Sequence, residues 1–91
     1  MNKSELIKTL SDKSMISPEE ASLIVNIVFD SMKATLQDGG RVEIRGLGSF
    51  KLKNYPGYTG RNPKTGKAVS VLPKRLPFFR AGKDFKAFLN T

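Results

Sequence analysis

Arg61, Asn62, Pro63, Lys64 and Lys67, grouped around Gly60 and Gly66 in the stretch TGRNPKTGK, are the residues best placed to do chemistry, and that chemistry is contact with a polyanion. Guanidinium and ammonium groups pair with phosphate oxygens, and a carboxamide both donates and accepts. Pro63 adds a stiff ring with no backbone N–H to strand where water is excluded. Bond-breaking chemistry has few agents here. The chain has no histidine and no cysteine, which removes the commonest metal ligand and general base, any thiolate zinc site and any disulfide framework. Only Glu43 and Asp84 among the carboxylates fall in the basic half, with no glycine-rich phosphate loop beside them. An enzyme is therefore not expected, and neither is a metal, a cofactor or a small-molecule substrate.

Charge is spread unevenly over the 91 residues, whose formal total is +8. Residues 1–40 carry four lysines against six acids, a net of −2, and the remainder carries twelve cations against two acids, a net of +10. Between Glu43 and Asp84 no carboxylate interrupts Arg45, Lys51, Lys53, Arg61, Lys64, Lys67, Lys74, Arg75, Arg80 and Lys83. A surface of one sign repels itself until a polyanion neutralises it. Nucleic acid is the first expectation and an anionic membrane surface the second. The run LIVNIVF is too short to span a bilayer and MNKSELIKTLSDK has no apolar signal-peptide core, so the expected address is the cytoplasm.

The elements that must hold these cations begin with two helices over residues 1–40. Asn2 with Glu5, and Ser17 with Pro18 and Glu20, have the spacing of capping boxes. In the second helix Ala21, Ile24, Val25, Val28, Met32 and Leu36 recur at helical steps, widened by Ile27 and Phe29, until Gly39 and Gly40 end it. That stripe is broader than the short first helix can cover, which predicts packing against a second subunit.

From Arg41 the period becomes two. RVEIR sends Val42 and Ile44 to one face and Arg41, Glu43 and Arg45 to the other. GLG turns, and SFKLK resumes with Phe50 and Leu52 opposite Ser49, Lys51 and Lys53. Residues 51–75 hold too few large apolar side chains for a core and read as a long two-stranded ribbon tipped by GRNPKTG, with Pro56 and Pro73 at exposed strand positions. A disordered basic loop is the alternative. A lone ribbon is marginal in water, so mobility is expected until something lies beside it. Leu76, Phe78 and Phe79 return the chain to the body before a C-terminal helix over about 82–90, whose Phe85, Phe88 and Leu89 read as core.

GRNPKTG, at its distance from GLGSF and FRAGK, together with NKSELI at the start, makes the whole chain resemble the bacterial HU and integration host factor family of DNA-bending proteins. The resemblance implies one α+β unit over residues 1–91: an intertwined dimer with a helical body and a three-stranded antiparallel sheet extending into long β-ribbon arms. Residues 1–40 would form the dimerising helices and 41–80 the sheet and arm. The partners implied are double-stranded DNA and a second chain, in a homodimer or a heterodimer, in the nucleoid. The dimer core expected is Val28, Phe29, Met32, Leu36, Ile44, Leu47, Phe50 and Phe79. The residue at Pro63 would wedge between base pairs from the minor groove. Unstacking a step costs a few kcal/mol, offset when the duplex bends onto more cationic surface.

Arg61 and Asn62 are expected along the groove floor, whose donor and acceptor pattern is degenerate, with Gly60 and Gly66 allowing the angles of a tight tip. Lys64 and Lys67 would meet phosphates beside the tip, Lys51, Lys53, Lys74 and Arg75 along the arm, and Lys3, Arg41, Arg45, Ser49, Lys83 and Lys86 on the body. Tyr55 and Tyr58 stand where HU proteins commonly carry arginines, and Leu47 where the family usually has phenylalanine. RVEIRGLGSF is nearer the integration host factor β-subunit, where the pair matching Glu43 and Arg45 supports sequence preference, whereas FRAGK is nearer HU. An HU-like homodimer and a site-selective subunit both remain open. An RNA-binding or ribosome-associated protein is the alternative from another class, disfavoured by a shallow A-form minor groove and the lack of an aromatic platform.

Overall fold

The computed structural model describes residues 1–91. Local chemistry sets both helices of the first half. The Asn2 side chain accepts from the Glu5 N–H at 2.8 Å and opens α1 (Lys3–Ser14), and Ser17 accepts from the Glu20 N–H at 3.1 Å and opens α2 (Pro18–Gln37) with Pro18 in its first turn. The reciprocal half of each box is absent. Glu5 faces the N-terminal ammonium at 4.0 Å instead, and only the forward bond joins Ser17 and Glu20. Between the helices Met15 takes a left-handed conformation, and buried Ser11 closes the corner by donating to the Ile16 carbonyl at 2.7 Å.

Past the αα corner the chain runs β1 (Val42–Ile44), β2 (Gly48–Tyr55), β3 (Tyr58–Arg61), β4 (Ala68–Val71), β5 (Lys74–Ala81) and α3 (Lys83–Leu89). A three-stranded antiparallel sheet has the order β1-β2-β5, and β3 pairs with β4 as a separate ribbon. Glu43 lies opposite Ser49, Ser49 opposite Arg80, Lys51 opposite Phe78 and Lys53 opposite Leu76. Strand alternation therefore gathers these residues on one face of the sheet and Val42, Phe50, Leu52, Phe79, Pro77, Asn54 and Arg75 on the other. Phe50 and Phe79 meet there with ring centroids 4.8 Å apart. Gly48 admits the Phe79 ring, because a Cβ at this position would lie 2.3 Å from the Arg80 carbonyl oxygen and 2.8 Å from the ring. Gly48→Ala is expected to lower the thermal midpoint through a loss of about 1–3 kcal/mol from overpacking. A melting curve superimposable on the parent's would count against that close approach.

The ribbon differs from the continuous one expected over residues 51–75. Pairing stops after Tyr55 and Lys74 and resumes at Tyr58 and Val71 with the register unshifted. Extended across the gap, that register sets Pro56 opposite Pro73 and Gly57 opposite Leu72. Neither proline has an N–H, so the rung between them cannot form. Gly57 is needed beside it, since a Cβ would sit 2.8 Å from the Pro73 ring.

Very little is buried. Only Ser11, Ala21 and Val25 are inaccessible, the radius of gyration is 19.3 Å and the long axis is 61 Å. A compact chain of this length would have a radius near ~12 Å. Leu23, Ile24, Ile27, Val28 and Phe29 of α2 stay exposed, as do Ile44 and Phe79 of the sheet.

Candidate nucleic-acid interface

The body half of the interface is an open groove of about 770 Å³ between the β1–β2 turn and α3, lined by Arg45, Ser49, Arg80, Lys83 and Lys86 with Glu43 as its one acid. Local geometry fixes the groove. Gly46 turns with φ +86, the Leu47 N–H donates to the Ile44 carbonyl at 3.0 Å, and the Leu47 carbonyl accepts the Gly82 N–H at 3.0 Å, which pins the start of α3 to the turn. Arg80 was not among the residues expected here from the sequence. The signal that could have found it is parity: it lies opposite Ser49, so it shares the cationic face and its neighbour Phe79 does not.

Glu43 forms an ion pair with Arg41, not with Arg45. Alternate strand residues share a face, and Arg41 reaches the carboxylate across it. Arg45 is thereby left open to the groove. Lys3 lies on the exposed first turn of α1, outside the groove lining.

Lys51, Lys53, Tyr55 and Lys74 continue the same face into the arm base. Lys53 places its ammonium 3.9 Å from the Phe78 ring centroid, and Lys74 lies 5.9 Å from that of Tyr55. Only one of the adjacent Phe78 and Phe79 can turn into the body. Consecutive strand residues point to opposite faces, so only Phe79 does so, and Phe78 and Leu76 interleave with the lysines. Such apolar ground between cations suits the sugar edges of a nucleic-acid backbone as well as its charge. Arg75 has the opposite parity. It leaves the row of lysines and donates from Nη1 to the Gln37 carbonyl at the end of α2, 3.2 Å away.

At the tip the Asn62 N–H donates to the Lys67 carbonyl at 2.9 Å, and the Gly66 N–H to the Asn62 carbonyl at 2.7 Å. The Asn62 side-chain oxygen accepts the Lys64 N–H at 2.9 Å, bridging Pro63. Asn62 therefore shapes the turn, with its side-chain oxygen already engaged. Gly66 has φ +69 and requires glycine, whereas Gly60 sits within β3 opposite Val69 without a positive φ. Arg61, Pro63, Lys64 and Lys67 are exposed around this rigid turn.

No group of three or more acidic, histidine or cysteine side chains gathers to hold a metal, and no helix is long and apolar enough to cross a membrane. A basic groove and arm base, with a second cluster of cations at a proline-bearing tip, is an arrangement for binding a long polyanion. Residues 1–90 match the family described as bacterial DNA-binding protein. The chain belongs to that family, the family of HU and integration host factor. Family members are architectural DNA-binding proteins, not enzymes. Integration host factor subunit beta of Nitrosomonas europaea is 42% identical over 92 residues, covering 100% of this chain and 88% of that protein. The HU of an Anabaena HU–DNA cocrystal structure superposes with a TM-score of 0.83 at 29% identity, over 98% of this chain and 97% of that one. HU from Thermotoga maritima gives 0.66 at 25% identity, over 98% of each chain.

Proposed function

We propose that residues 1–91 form one DNA-binding unit that dimerises and, as a dimer, bends double-stranded DNA in the bacterial nucleoid. The observation that carries this reading is the cationic face leading from the Arg45–Arg80–Lys83–Lys86 groove through Lys51, Lys53 and Lys74 at the arm base, together with a second cationic group, Arg61, Lys64 and Lys67, around an exposed Pro63 at the tip. Charge attracts the duplex without regard to sequence, and the tip enters the minor groove. Pro63 wedges into a base step there, flanked by Arg61 in the groove and by Lys64 and Lys67 at the phosphates. Val28, Phe29, Met32 and Leu36 of one chain, with Ile44, Leu47, Phe50 and Phe79, bury against the partner.

The deciding experiment is a gel shift of the purified chain alone on intact, nicked and random-sequence duplexes, with its mass measured in solution. A dimer that prefers the nicked duplex supports the reading, because a nick lowers the cost of distortion. Failure of the pure chain to bind any duplex counts against it. Arg61→Ala or Lys64→Ala is expected to weaken binding and flatten the slope of log affinity against log salt, and for Lys64, at a phosphate, by about 0.9 per arm, hence about 1.8 for a two-armed dimer.

A second reading, one subunit of a site-selective heterodimer, is favoured by the 42% identity to an integration host factor β-subunit. On that reading the chain alone binds weakly and gains both affinity and site preference only with a different partner chain. Tight binding by the pure chain, with equal affinity for a defined site and its scrambled version, removes it.

A further inference from the structure

We infer that Arg75 is a positioning residue that sets the direction of the arm from the body, and that it is not a phosphate contact. The inference rests on the DNA-bending reading above and assigns Arg75 a different task within it.

The end of α2 leaves the carbonyls of its last turn to be satisfied. The Asp38 N–H donates to Ala34 at 3.1 Å, the Gly39 N–H to Leu36 at 3.0 Å and the Gly40 N–H to Thr35 at 3.0 Å. Gln37 is the carbonyl that remains. The last turn of α2 contains no basic residue of its own to complement the partial negative charge there. Arg75, distant in sequence by 38 residues, donates to that carbonyl.

Parity makes this arrangement specific. Arg75 pairs with Asn54 on the face opposite Lys51, Lys53 and Lys74, next to the Tyr55–Lys74 rung at which β2 and β5 stop pairing. The bond therefore spans from the end of the arm-base ladder to the helix carrying the apolar face of the body. Arg75 shares a pocket with Arg41 and Lys51, but its guanidinium is committed to this carbonyl at the end of α2. Removing it frees the arm base to swing while leaving the phosphate-facing lysines intact.

Arg75→Ala separates the two roles, and because Arg75 is exposed the variant is expected to fold. Amide exchange in the DNA-free protein should quicken about fivefold at Gly39 and Gly40, the scale of removing one modest hydrogen bond. In saturated complexes the distribution of fluorescence-transfer bend angles should broaden. The slope of log affinity against log salt should stay that of the parent. Arg75→Lys, which keeps a cationic donor, should bring the exchange rate back toward the parent's. A slope lower by about 0.9 for each arm would make Arg75 a phosphate contact and overturn the inference. Unchanged exchange at Gly39 and Gly40, an unbroadened bend distribution, or no recovery with lysine would overturn it equally. The exchange measurement needs no DNA, so it stands apart from whether the parent bends a duplex.

Discussion

Val28→Asp leaves the chain unfolded at micromolar concentrations at which the parent shows its full helical circular dichroism. Val28 is 49% exposed in the protomer, beside Ile27 at 55% and Leu23 at 62%, on a helix whose covered side buries only Ala21 and Val25. The accessible surface of 7759 Å² exceeds the ~5,300 Å² usual for a monomer of 10.1 kDa. A protomer so open has no core of its own to fall back on. Its folding and its association are one equilibrium, and stability rises with concentration. In a twofold interface each substitution occurs twice. A carboxylate left unpaired in apolar surroundings costs roughly 3–5 kcal/mol, and two are comparable to the whole stability of a small domain. Thermal melts over a hundredfold range of concentration check this. The parent's midpoint should climb with concentration, and the variant should show no cooperative transition. A variant melting like the parent would place this face of α2 outside the assembly, and the dimer reading would fall.

Pro63→Ala keeps most of the affinity and loses most of the bend. Attraction comes from cations that the substitution leaves in place, so the salt slope should not change. On the wedge reading the kink comes from the ring. Wedges of this kind open base steps by about 20–90°, at a few kcal/mol of unstacking per step. Alanine presents too little rigid surface to hold a step open. The tip itself should survive, because its bonds run through the Asn62 N–H, the Asn62 carbonyl, the Asn62 side chain and the Gly66 N–H, none of which belongs to residue 63. Fluorescence transfer between duplex ends reads the bend and a salt titration reads the phosphate pairing. A bend equal to the parent's would remove the wedge while leaving the cationic face intact.

Features written in short-range chemistry were legible in the sequence. Asn2, Ser17 and Pro18 start helices because their side chains or fixed φ satisfy the first turn, and Gly39, with φ +83, ends one. The change of period at Arg41 placed the sheet, and the absence of acids from Arg45 to Lys83 placed the cationic face. Features that depend on register were harder to see. Whether Arg75 or Lys74 faces the duplex, and whether Phe78 or Phe79 enters the body, turns on a single step of parity. Arg80 escaped attention for the same reason. The unpaired stretch of the arm needed two distant prolines to be aligned. Each looked harmless as an isolated strand residue, and only their opposition removes a rung.

That opposition shapes how the finger behaves. The stem from β2 and β5 and the fingertip from β3 and β4 keep one register, yet no ladder hydrogen bond joins them across Pro56 and Pro73. Twist and flexure are expected to concentrate where the ladder bonds are missing. On the proposed reading, a tip mounted this way would follow grooves of differing width and pitch without rearranging its own turn, and any tolerance of sequence would be a mechanical property of the joint.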